Sequence, residues 1–99
     1  MKPLIILNCV GLTPRHIGPA TPRLADIASK GALFPLQTTI PAVTTSAQTT
    51  MLTGVDPTRH GIVGNGWYFR DLNEILFWRQ SERLVEAPFL WSGTGLKVL

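Results

Sequence analysis

The chain has 99 residues, 44% of them hydrophobic and 15% charged, a balance that excludes a disordered tail or a polar linker. The length suits one small domain. The net charge of +3 comes from nine scattered Lys and Arg residues without a basic run, so nothing marks a nucleic-acid footprint.

The opening Met1-Lys2-Pro3 and the apolar run Leu4-Ile5-Ile6-Leu7 are too short for a secretory signal core, and no run is long enough to span a membrane. The expectation is a cytoplasmic protein with no membrane partner. Leu4 to Leu7 is continuously apolar and rich in branched residues, which predicts a strand buried on both faces, as in parallel sheets. The single cysteine, Cys9, rules out an internal disulfide framework and, at the end of that run, is expected to be a buried structural thiol. Gly11 and Pro14 open a loop through Pro19, in which His16 is expected to be exposed.

Thr21 then stands where a helix cap would, with Pro22 suited to the first turn. Leu24, Ile27 and Ala28 fall at helical spacing and predict a buried stripe, and Gly31 is placed to end the helix in the left-handed conformation. Ala32 to Leu36, leading into Gln37 to Ile40, predicts a second strand that Pro35 would push to an edge or a bulge. Strand, helix and strand of this size make a βαβ unit, the start of an α/β sheet.

From Thr38 to Thr50 seven hydroxyl residues accumulate, and Thr53 closes the run. A second helix is predicted from about Thr45 to Leu52, ended by Gly54, with a turn at Asp56-Pro57. His60 to Gly66 reads as loop. Trp67 to Trp78 is aromatic-rich and amphipathic, with Asp71 and Glu74 spaced for one helix face. The stretch Ser92-Gly93-Thr94-Gly95 and the apolar tail predict no element.

Thr44 draws attention on chemical grounds. Exposed N–H groups and the dipole at a helix start favour the negative charge of a phosphate. A hydroxyl placed there can attack phosphorus once it is activated. Thr-rich helix starts also occur as simple caps.

Pro41-Ala42-Val43-Thr44, then Thr53-Gly54, then Pro57-Thr58-Arg59-His60-Gly61-Ile62-Val63-Gly64-Asn65 resembles, without a gap, the nucleophile block of nucleotide pyrophosphatase/phosphodiesterases in the alkaline phosphatase superfamily. Asn65 to Asp71 and Phe77-Trp78-Arg79-Gln80-Ser81 are similar to a bacterial branch of the same group, and the likeness runs from about Leu4 to Trp91. The resemblance implies that the whole chain is one partial domain, the N-terminal portion of an alkaline phosphatase-like mixed or parallel sheet sandwiched by helices. It further implies a pair of divalent metals, usually zinc, and a phosphothreonine intermediate on Thr44, which would also contact metal. The substrate would be a small phosphorylated compound, with nucleotides among the candidates.

Two departures accompany the likeness. The family's metal-binding Asp before Gly11 is replaced by Val10, leaving Asn8, two residues earlier, as a weaker amide ligand. The phosphate-contacting Asn expected three residues after the nucleophile is Ala47, so Gln48 or Asn65 would supply that donor. Each of these amides also has an ordinary structural reading. His60 is expected to pack the loop, and Trp67, Tyr68, Phe69 and Trp78 to pack rather than to stack on a base.

With only two His and six acidic residues and no ligand cluster, most metal ligands are expected downstream, and this stretch alone is expected to be inactive. The alternatives are a truncated or degenerate non-catalytic protein, or a phosphonate or phosphomonoester hydrolase of the same superfamily.

Overall fold

The computed structural model describes residues 4–79 and 81–95. Gln80 and the apolar tail beyond Gly95 lie outside the described residues. The chain divides between Leu36 and Gln37 into two compact units.

In the first unit the predicted strands do not form. Leu4, Ile5, Ile6 and Leu7 are 64–79% exposed and pair with nothing among the described residues. Residues 32–36 are likewise unpaired, as are residues 37–40 in the second unit. The βαβ expectation and its parallel sheet are therefore corrected. A two-sided apolar strand is stable only with ladder partners and packed faces, and the described residues supply neither. Cys9 is exposed for the same reason, contrary to the buried thiol expected.

Helix α1 spans Pro22–Lys30 with Pro22 in its first turn, as predicted. Its end details differ. The Thr21 hydroxyl does not cap it; it accepts from Gly18 N–H at 3.1 Å and donates to the His16 carbonyl, fixing the preceding loop instead. Gly31 has φ −119°, not a left-handed value. The expected stripe is only half realised: Leu24 and Ala28 are half-buried and Ile27 is exposed, because no layer covers that face within the unit. Upstream, Pro14–His16 forms one 3-10 turn, with exposed His16 accepting from Thr13 N–H through Nδ1 at 3.0 Å.

The second unit carries the more ordered architecture. Helix α2 spans Thr44–Thr53, and Gly54 ends it at φ +73° with its N–H on the Thr50 carbonyl at 2.8 Å. Only glycine adopts that conformation without strain, so Gly54→Ala is expected to destabilise the unit by about 1 kcal/mol, read as a lower denaturant midpoint at unchanged slope. The predicted Asp56-Pro57 turn is one turn of helix, α3 (Pro57–His60). Asp56 caps it, accepting from Thr58 N–H at 3.0 Å and from the Thr58 hydroxyl. The Thr58 hydroxyl, with help from its N–H, holds the Asp56 carboxyl below its usual range.

Trp67 to Trp78 is a hairpin rather than a helix, since aromatic and branched residues favour a pleated surface. Strands β1 (Gly66–Phe69) and β2 (Glu74–Phe77) pair antiparallel, with Trp67 opposite Leu76 and Phe69 opposite Glu74. Asp71 and Glu74 thus fall in the turn and on β2, not on one helix face. Asn73 takes the left-handed position of the turn at φ 54°, and the Tyr68 hydroxyl donates to its side chain at 2.6 Å. Trp67 and Phe69 share one strand face and stack at 5.1 Å. Tyr68 and Trp78 remain exposed, so aromatic packing holds for part of the set.

Among the described residues of this unit the buried ones are Ser46, Thr53, Pro57, His60 and Ile62, a mostly polar core at the junction of α2 and α3. The following segment is tied there by backbone bonds, Glu86 N–H to the His60 carbonyl at 3.0 Å and Leu90 N–H to the Leu52 carbonyl at 2.9 Å.

Candidate active site

The site is built on the start of α2. Val43 is the cap residue and accepts the first helical bond from Ala47 N–H at 2.9 Å, so Thr44 is the first residue with helical geometry. Its side chain is exposed. A helix start leaves N–H groups without intrahelical acceptors. One of them, Thr45 N–H, is met by Asn65 Oδ1 at 3.1 Å, a cap delivered from 20 residues along the chain. Among the described residues no acceptor meets the N–H of Thr44 or of Ser46.

Asn65 is held on several sides. Its carbonyl accepts from Trp78 N–H at 2.8 Å, which anchors it to the end of the hairpin. The Thr45 hydroxyl donates to the neighbouring Gly64 carbonyl and stands 3.0 Å from Asn65 Oδ1. Because an N–H must face the oxygen of the amide, the Asn65 NH2 group is turned away from Thr45 and is left as a donor. Nucleophile candidate and amide candidate are therefore brought together through Thr45.

Gln48 lies four residues after Thr44, on the same helix face one turn on, half-buried and without a side-chain partner among the described residues. Ser46, two residues after Thr44, is fully buried and its hydroxyl has no partner among the described residues. Asn8 is different. It belongs to the first unit, in an exposed segment without regular secondary structure, and is not the strand-end residue the sequence suggested. Among the described residues no group of three or more His, Cys, Asp or Glu could hold a metal ion.

His60 packs as expected, and more tightly than its loop position suggested: it is fully buried. Burial pushes its imidazole below the ordinary range, and the Asp56 carboxylate offsets part of that. The sequence reading missed Thr45, which carries the cap contact, and Thr50, whose hydroxyl lies 2.9 Å from His60 Nε2. Neither is separable by residue type from the other hydroxyls of the run. The only local signal was the helical spacing that places Thr45 beside Thr44 at a helix start.

No curated protein and no solved structure matches the chain. Residues 4–97 match the family of type I phosphodiesterases and nucleotide pyrophosphatases, which takes in nearly the whole sequence and includes Thr44, Asn65 and the segment that joins them. The chain belongs to the type I phosphodiesterase / nucleotide pyrophosphatase family, a hydrolase lineage.

Proposed function

We propose that the protein hydrolyses phosphodiester or pyrophosphate bonds in a small phosphorylated substrate, nucleotides included, with Thr44 as the nucleophile. The observation that carries this reading is the exposed Thr44 hydroxyl at the first position of α2, beside its own N–H, which meets no acceptor among the described residues. Thr44 Oγ would form a bond to phosphorus as the bond to the leaving oxygen breaks. Water would then cleave the phosphothreonine and restore the hydroxyl. The N–H of Thr44 and the Asn65 NH2 are suited to the charge that grows on the non-bridging oxygens. Gln48 is a second amide on the same helix face.

The resemblance implies a zinc pair, for which Thr44 and Asn8 would be the contacts within this chain. A hydroxyl and a neutral amide do not make a zinc site, and the described residues add no His, Cys, Asp or Glu cluster. These residues alone do not fit the pair, whose remaining ligands would have to come from further chain. The apolar runs Leu4–Leu7 and Leu33–Leu36, exposed here, support the reading of this chain as part of a larger alkaline phosphatase-like sheet that would cover them. A cytoplasmic location belongs to the same proposal. Among the described residues no helix is long and apolar enough to cross a membrane.

The test is to trap the intermediate. The protein that carries this sequence, incubated with zinc and a chromogenic phosphodiester and quenched in acid, is expected to yield a peptide phosphorylated on Thr44 by mass spectrometry. Phosphate on another residue would move the nucleophile. Folded, zinc-loaded protein without any label would favour the non-catalytic alternative, to which Val10 before Gly11 already points.

A further inference from the structure

His60 is the largest fully buried side chain among the described residues, and both of its ring nitrogens are engaged. Nδ1 stands 3.1 Å from Ile62 N–H, which can only donate. Nδ1 must therefore be the acceptor, and the ring hydrogen sits on Nε2, where it donates to Thr50 Oγ1 at 2.9 Å. Only the neutral imidazole satisfies both contacts. A proton added to Nδ1 would face the Ile62 N–H.

These bonds lie at one end of the segment Gly61–Asn65. At its other end Asn65 and Gly64 hold Thr45. Thr45 and Thr50 belong to the same helix, so the segment is pinned to α2 at two points, with Thr44 just beyond the second.

We infer that neutral His60 is a positioning residue for the phosphoryl site: it clamps Gly61–Asn65 along α2 so that Asn65 stays on Thr45, and proton uptake by His60 releases that clamp. This rests on the reading of Thr44 and Asn65 as the site. The charged groups around the ring are few. Helix α2 contributes no titratable residue to it. At the cap of α3, Asp56 attracts a proton to the ring, and on α3 Arg59 precedes it in sequence. From the following segment Glu86 donates its N–H to the His60 carbonyl, and its side chain lies against Gly61, where an added Cβ would be 3.0 Å from Glu86 Cδ. Glu82 and Arg83 precede it in that segment. Burial outweighs the opposing pull of the backbone and of Asp56, and holds the imidazole below its ordinary range. Since the folded state binds the proton less readily than the unfolded one, the clamp is intact above the ordinary imidazole value of about 6.5 and is lost as pH falls through the lower folded value.

The experiment follows nitrogen-15 resonances of the whole protein during an acid titration from about pH 7.5 to pH 5. The expected result is an Nε2–H tautomer of His60 at neutral pH. On acidification the Thr45 amide and the Asn65 side-chain amide should shift with the His60 midpoint while the hairpin amides of Trp67 and Tyr68 hold still. His60→Gln keeps a donor for Thr50 but cannot titrate, so its Thr45 and Asn65 resonances should show no step. An Nδ1–H tautomer, a step that survives in His60→Gln, or hairpin signals lost at the same midpoint would each overturn the inference. Should His60→Gln fail to fold, Thr50→Val decides: it removes the acceptor at nearly constant volume, and Thr45 N–H should exchange with solvent faster than in the parent, an unchanged rate overturning the clamp. None of these readouts needs turnover, so they stand apart from the fate of Thr44 as nucleophile.

Discussion

Replacing Thr44 by alanine is expected to lower phosphodiester turnover by about four to six powers of ten, the scale on which a preorganised site loses its covalent nucleophile. Folding should hardly notice. The side chain is exposed and makes no hydrogen bond among the described residues, so the change in stability should stay within about 0.5 kcal/mol. The comparison that gives the result meaning is Thr45→Ala. Thr45 lies one residue on and has its hydroxyl engaged with Gly64 and Asn65, so its loss should act mainly on stability and only indirectly on rate. Steady-state kinetics on a diester, run with thermal melts of both variants, separates the two. A Thr44→Ala protein that keeps more than about a tenth of parental kcat/KM would remove Thr44 from the chemistry, since the loss would then be only ~1.4 kcal/mol. Thr44→Ser keeps a hydroxyl at the same place, now primary, and should retain a measurable share of the rate.

The parts of this chain that can be read locally were read well. The end of α2 at Gly54 and the start of α1 at Pro22 follow from backbone preferences that act within a few residues, whereas the side-chain cap expected of Thr21 does not form. Leu4–Leu7 and Leu33–Leu36 misled because an apolar run encodes a demand for burial, not its fulfilment. The hairpin was missed for another reason. Asp71 and Glu74 suggested helical spacing, while Asn73, the residue suited to the left-handed turn position, carried the better signal. At the candidate site the helix start beside Thr44 was legible. The bond from Thr45 N–H to Asn65 was not, because it spans 20 residues and depends on where the hairpin begins.

That bond makes Asn65 the second position with a large expected effect, and the choice of substitution separates its roles. Asn65→Asp leaves an oxygen to accept Thr45 N–H, now charged and therefore a stronger cap at a helix start. It also replaces the NH2 donor with a second carboxylate oxygen. If Asn65 serves only to cap α2, the Asp variant should be as stable as the parent or more so, with its activity intact. If the NH2 group meets the substrate's phosphoryl oxygens, the same variant should lose at least about 100- to 1000-fold in kcat, the cost of one lost donor to a developing anion, with charge repulsion added. Its melting temperature should nevertheless hold or rise. Asn65→Ala removes both functions, and should lose activity together with about 1 kcal/mol of stability. The decisive pattern is therefore a stable but inactive Asp variant beside a less stable, inactive Ala variant. An active Asp variant would confine Asn65 to holding the helix start and leave Gln48, on the face that Thr44 shares, as the amide to test next.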